Sequence, residues 1–139
     1  MKILICGLPG SGKSTLAKAL TERLDGAWVN ADTVREEYND WDFSPDGRAR
    51  QAARMKQISN DYVDMGRIAI ADFVCPTQSL RDFFDADYVI WMDTIKESIY
   101  DDTNAVFQEV VADCIVTSFV SKEMMVELFD DIEKDMYIV

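Results

Sequence analysis

Nine consecutive residues, Gly7-Leu8-Pro9-Gly10-Ser11-Gly12-Lys13-Ser14-Thr15, fit the pattern G-x-x-x-x-G-K-[ST] in full. That order of residue types suits one task, holding a chain of phosphates. Glycines let the backbone curl so that successive N–H groups face phosphate oxygens, and the start of a helix adds a partial positive charge. Lys13 is expected to reach the β- and γ-phosphates, and the Ser14 hydroxyl to bind Mg²⁺. The expected nucleotide is ATP with Mg²⁺, held by Gly7, Pro9, Gly10, Ser11, Gly12, Lys13, Ser14 and Thr15. A glycine-rich turn entering an ordinary helix would not account for a lysine and two hydroxyls directly after the last glycine.

Two carboxylates come next. Asp32 and Asp72 each stand at or just after the end of a stretch with strand character. Ligands of a doubly wound sheet sit beyond the carboxyl ends of its strands, so both are expected near Ser14. One would hold Mg²⁺ through water and the other would accept the proton of an attacking hydroxyl. The sequence leaves open which does which. The expected catalytic set is Lys13, Asp32 and Asp72, with Ser14 and Asp32 toward the metal. Structural roles compete with these, Asp32 as a helix N-cap before Val34 and Asp72 as a turn residue. Arg48, Gln51 and Arg54 recur every three residues and share a helix face. Arginine forks suit phosphate or sulfate oxygens. Phe43 and Phe73 are candidates to stack on a purine, with core burial as the alternative for each.

The elements that must carry these groups alternate along the chain. Lys2–Cys6 is a short apolar run ending at Gly7, the pattern of a buried parallel strand. Residues 13–23 read as a helix, with Leu16, Ala17, Leu20 and Leu24 at helical spacing. Further strands are expected at 27–30, 68–72, 88–92 and 114–117. A long helix is expected near 47–65, with Met55, Ile58, Tyr62 and Met65 buried, and a last one near 122–133. Strand–helix alternation implies an α/β fold, here a phosphate-loop (P-loop) NTPase-type three-layer sandwich on a mostly parallel five-stranded sheet. One domain over residues 1–139 is expected, with residues 98–112, which lack clear periodicity, as a lid-like segment.

Composition narrows the partners. The net charge of −12 argues against an extended nucleic-acid partner, because a phosphate backbone needs a basic footprint. The charge is uneven: seven of 14 basic residues lie between positions 35 and 81, while twelve acids face three lysines from Asp93 onward. A basic middle in an acidic chain suits a small anionic ligand, with solvated helix faces as the alternative. The absence of histidine removes the commonest general base, leaving carboxylates, lysine, arginine, hydroxyls and a metal. Cys6, Cys75 and Cys114 form neither a disulfide framework nor a zinc pattern and read as reduced structural residues. With no apolar run near the length of a bilayer span and no signal-peptide pattern, a cytoplasmic location without a membrane partner is expected.

At these residues the sequence resembles the adenylylsulfate (APS) kinase family. That family carries G-L-x-G-x-G-K-S-T, then D-G-D-N-x-R, then F-S-x-x-D-R-x-E-N-x-x-R, then S-F-I-S-P. The counterparts here are Gly7–Thr15, Asn30–Arg35, Phe43–Arg54 and Asp72–Pro76, in the same order over roughly residues 1–95. The chain departs from the pattern at Asn30, Ala31 and Thr33 in the second block, at Gln51 and Ala53 in the third, and at Asp72, where the family has serine. The family's lid carries a basic R-D-P-K-G-L-Y-like segment, and the matching stretch Ser98–Phe107 has no basic residue.

The resemblance implies transfer of the ATP γ-phosphoryl group to the ribose 3′-hydroxyl of APS, giving 3′-phospho-APS (PAPS) and ADP. It implies that Asp32 assists Mg²⁺ or the attacking hydroxyl, and that Arg35, Phe43, Arg48 and Gln51 hold the APS nucleotide. Phe73, Val74, Cys75 and Pro76 would line its pocket, and a homodimer would be plausible. Without a lid arginine, Lys13, Mg²⁺ and Arg48 or Arg81 would offset the charge of the transferring group. Two alternatives stay open: a P-loop kinase for another hydroxyl acceptor (a nucleoside, a sugar acid or a polynucleotide 5′ end), or a nucleotide-binding module with little catalysis.

Overall fold

The computed structural model describes residues 1–137. Five strands, β1 (Lys2–Cys6), β2 (Ala27–Asn30), β3 (Ala69–Asp72), β4 (Tyr88–Met92) and β5 (Cys114–Val116), form one sheet in the order β2-β3-β1-β4-β5. Every pairing is parallel. The expected P-loop-type α/β architecture is therefore present, and the sheet is wholly rather than mostly parallel among the described residues. β1 is central and buried along its whole length, as its unbroken apolar run requires.

Strand alternation sends successive side chains to opposite faces, and each face has its own core. Ile3, Ile5, Ile70, Ile90 and Met92 pack with Leu16, Ala17 and Leu20 of helix α1 (Lys13–Leu24) and with Phe129 and Ile132 of helix α6 (Lys122–Tyr137). Leu4, Cys6, Val29 and Ala71 pack on the other face with Val34 of α2 (Ala31–Tyr38), Met55 of α3 (Pro45–Asp64) and Phe84 of α4 (Gln78–Phe84). Three layers result.

Helix α2 enters the sequence reading only as the alternative role of Asp32, a helix N-cap, and α4 does not enter it, although both carry start signals. Asn30 caps α2 by accepting from the Thr33 N–H, and Thr77 caps α4 by accepting from Leu80. Each follows its strand within a few residues and is too short to show clear periodicity. α3 begins two residues before its expected start, at Pro45, with Ser44 as N-cap. Its buried face is Gln51, Ala52, Met55 and Ser59, whereas Met65, expected inside, is 66% exposed at the C-cap. The segment read as a lid contains a short helix, α5 (Asp101–Val106).

Candidate active site

The loop between β1 and α1 stands at the carboxyl edge of the sheet. Gly12 caps α1 with φ 96°, a left-handed conformation that costs glycine nothing. Gly7 runs so close to β4 that an added Cβ would lie 2.8 Å from the Met92 carbonyl oxygen. The loop is tied down by Thr94, whose hydroxyl donates to the Ser11 carbonyl at 2.7 Å. Lys13 Nζ donates to the Leu8 carbonyl at 3.0 Å, so the ammonium is folded over the loop it serves. Burial lowers its pKa, and the nearby Asp72 carboxylate opposes that shift.

Asp72 ends β3 and is 2% exposed. Its Oδ1 accepts from the Ser14 hydroxyl at 3.4 Å, and its Oδ2 accepts from Asn30 Nδ2 at 3.1 Å and from Trp28 Nε1 at 2.5 Å. Burial pushes its pKa up, while Trp28, Asn30, Lys13 and Ser14 all favour the anion. Asp32 lies in the first turn of α2 and is exposed. It makes no side-chain hydrogen bond among the described residues. Asn30, and not Asp32, is the N-cap.

These groups line one end of a cleft of about 750 Å³. Its other end is built from α2, α3, the turn after β3, and α5. Arg35 donates to the carbonyls of Asp40 and Asp42 at 2.9 and 3.2 Å and lies 4.2 Å over the Phe43 ring. Arg48 donates to the Phe43 carbonyl at 2.9 Å and to the Thr103 hydroxyl at 3.0 Å, with the Asp102 carboxylate 3.7 Å away. Phe43 is 47% exposed and presents its ring to the cleft, whereas Phe73 is 4% exposed and meets Phe84 edge-on at 5.4 Å. Gln51 donates to the Ala31 carbonyl and has a buried carbonyl oxygen without a partner.

Of the expected site residues, Pro9, Gly10, Gly12, Lys13, Ser14, Thr15, Asp32, Arg35, Phe43, Arg48, Gln51 and Asp72–Pro76 line this one cleft. Gly7 and Ser11 do not. They sit behind the loop, with Ser11 fully buried, and shape it from there. Arg54 leaves the face it was expected to share, pairing with Asp40 at 2.7 Å and stacking on Tyr38. Arg81, offered as the alternative to Arg48 as a cation for the transferring phosphoryl group, is buried. It donates to the carbonyls of Cys75, Pro76, Gln108 and Glu109 and to Gln78. Such a guanidinium binds the turn after β3 to the chain after α5 and has no fork left for a ligand. Sequence reasoning missed Glu36, Trp41, Tyr100, Asp102 and Thr103 as lining residues, and Trp28 as a partner of Asp72. Trp28 had one signal, its i, i+2 spacing from Asn30 on a strand.

Among the described residues no group of three or more Asp, Glu, Cys or His side chains gathers as a metal cage. Mg²⁺ needs none in such a site, since it keeps several waters and takes one or two carboxylates together with substrate phosphates. The Ser14 hydroxyl beside the Asp72 carboxylate is a donor set that fits it. No helix of the described residues is long and apolar enough to cross a membrane.

Known proteins are similar to this chain in sequence and in fold. The family model for adenylylsulphate kinase matches residues 1–123. An adenylyl-sulfate kinase of Oceanobacillus iheyensis is 38% identical over 82 residues, 55% of this chain and 41% of that protein. One from Staphylococcus haemolyticus is 41% identical over 91 residues, 58% of this chain and 43% of that protein. The match thus spans about two fifths of the length of these relatives. In three dimensions the chain is similar to the Mycobacterium tuberculosis APS kinase solved in complex with AMPPNP and APS, with TM-score 0.80, 21% identity, and 95% and 96% of the two chains covered. It also resembles shikimate kinase of Aquifex aeolicus, with TM-score 0.71, 13% identity and 99% of each chain covered. At such identities these likenesses speak for the P-loop kinase fold. With the family model spanning most of its residues, the chain belongs to the adenylylsulphate kinase family.

Proposed function

We propose that this chain transfers the γ-phosphoryl group of ATP to the 3′-hydroxyl of APS, giving PAPS and ADP. One observation carries the reading: a single cleft joins the phosphate loop to a wall of Arg35, Phe43 and Arg48. The loop end suits a triphosphate, and the wall offers a ring and two guanidinium groups to a purine nucleotide with an anionic tail. Mg²⁺ bound with the nucleotide would offset charge between the β- and γ-oxygens, held by Ser14 and, through water, Asp72.

The chain's own groups then divide as follows. Lys13 leaves the Leu8 carbonyl for the β- and γ-oxygens. Asp32, free of other partners in the cleft wall, takes the proton of the attacking hydroxyl as its oxygen bonds to the γ-phosphorus and the bond to the β-bridging oxygen breaks. Asp72, whose oxygens are already occupied by donors, stays on the metal side. Phe43 stacks on the acceptor base, Arg48 exchanges Asp102 for the acceptor's anion, and Gln51 offers its unpartnered oxygen. Residues 98–112 act as a lid of one domain, covering the acceptor through Tyr100 and Thr103 and leaving the triphosphate to Lys13. The test is PAPS formation from ATP and APS, with nucleosides, sugar acids and 5′-hydroxyl oligonucleotides as rival acceptors. Turnover highest with APS supports the reading, and turnover with a rival alone rejects it.

A further inference from the structure

The Asp72 carboxylate is held by donors from β2 and α1. Alternation along β2 sends Trp28 and Asn30 to one face, and the β2–β3 register sets Asn30 beside Asp72 and Trp28 beside Ile70. That is the face on which α1 packs, because Ile70 shares a core with Leu16, Ala17 and Leu20. Ser14, in the first turn of α1, therefore meets the same carboxylate. Three side chains donate to Asp72: Trp28 Nε1 at 2.5 Å, Asn30 Nδ2 at 3.1 Å and Ser14 Oγ at 3.4 Å. The Asn30 amide has its orientation fixed, since its oxygen accepts from both the N–H and the hydroxyl of Thr33 at 3.1 Å. Its NH₂ group is left to face Asp72. Trp28 is not part of the cleft lining and reaches Asp72 from behind.

A carboxylate near the part-buried Lys13 ammonium would otherwise close on it as an ion pair. The indole donates to Oδ2 and the Asn30 amide spans both oxygens, at 3.1 Å to Oδ2 and 3.4 Å to Oδ1, so the carboxylate is held with Oδ1 toward Ser14. We propose that Trp28 and Asn30 are positioning residues for Asp72, and that the Asn30–Asp72 pair is a reciprocal exchange across β2 and β3. Asparagine stands where the family's D-G-D-N block has aspartate, and aspartate stands where its S-F-I-S-P block has serine. The carboxylate has crossed to the neighbouring strand, and its register partner has become the donor that aims it. The inference rests on the reading of Asp72 as the carboxylate on the metal side.

The experiment measures ADP affinity with and without Mg²⁺ by calorimetric titration, together with kcat and the ATP KM. Asp72→Asn should lose about tenfold of the Mg²⁺-dependent gain in affinity, as expected for a group acting through metal-bound water. The exchange variant Asn30→Asp/Asp72→Asn should recover most of that gain, and aspartate at position 30 still suits the N-cap of α2. Trp28→Phe should lower kcat by roughly five- to tenfold and shrink the Mg²⁺-dependent gain, with the ATP KM within about twofold. Thermal melts check that each variant folds. An exchange variant that melts like the parent but binds no better than Asp72→Asn overturns the exchange. Wild-type kcat and Mg²⁺ gain in Trp28→Phe overturn the positioning role, and decide the matter alone if the exchange variant does not fold. A full Mg²⁺ gain in Asp72→Asn removes the premise instead. Because ADP binding needs no acceptor, failure to form PAPS leaves these outcomes readable.

Discussion

At the phosphate end of the cleft, most of the groups that face a ligand come from nine consecutive residues. The acceptor end is assembled from α2, α3, the turn after β3 and α5. Their cations differ as well. Lys13 rests on one carbonyl of its own loop, a single contact that a phosphate can replace. Arg35 and Arg48 are already engaged by backbone carbonyls, a hydroxyl and the Phe43 ring. Arg81, a few residues beyond the acceptor turn, is engaged completely. A positive side chain near a cleft is thus a ligand group only to the extent that the protein leaves its donors unspent.

The largest effects are expected at the phosphate end. Lys13→Ala should lower turnover by about 10³-fold, the scale for removing a group aimed at transition-state charge, with the melting temperature unchanged. Turnover near the parent's would remove the phosphate loop from the chemistry. Asp32→Asn should cost about 10²-fold in kcat with little change in either KM, the usual scale for a lost general base. If both KM values rise and kcat holds, Asp32 belongs to binding. At the acceptor end, Arg48→Ala should raise the acceptor KM about tenfold, the equivalent of one charge-assisted hydrogen bond, while the ATP KM moves less than about twofold. Equal rises would merge the two ends of the cleft into one binding unit. Arg81→Ala should act on folding, lowering unfolding free energy by about 3 kcal/mol in a urea titration because buried carbonyls lose a charged donor. A variant with parental stability and reduced kcat would return Arg81 to the site.

Much of this was legible because it depends on local order. Lys2–Cys6 reads as a buried strand, the glycines and Lys13 as a phosphate loop, and Leu16, Ala17 and Leu20 as the helix face that packs beneath it. The sheet follows from repeating that pattern. What escaped depends on contacts between distant residues. Whether Arg81 points to solvent or toward Cys75 and Glu109 is decided by the chain after α5, where Glu109 lies 28 residues from Arg81. Met65 fits the helical period, yet α3 stops at Asp64 and leaves it on the surface. Trp28 carries no motif, and only the parallel register of β2 on β3 brings its indole to Asp72. Phe73 and Phe43 were equivalent in the sequence; both line the cleft, but burial separates them, Phe73 packed against Phe84 and Phe43 half exposed.

The most direct test of the central claim is a calorimetric titration of APS into the chain preloaded with ADP and Mg²⁺. Saturable one-site binding in the micromolar range is expected, weakened about tenfold by Arg48→Ala. An absence of APS binding by protein that still binds ADP would contradict the acceptor assignment and leave only the phosphate end standing.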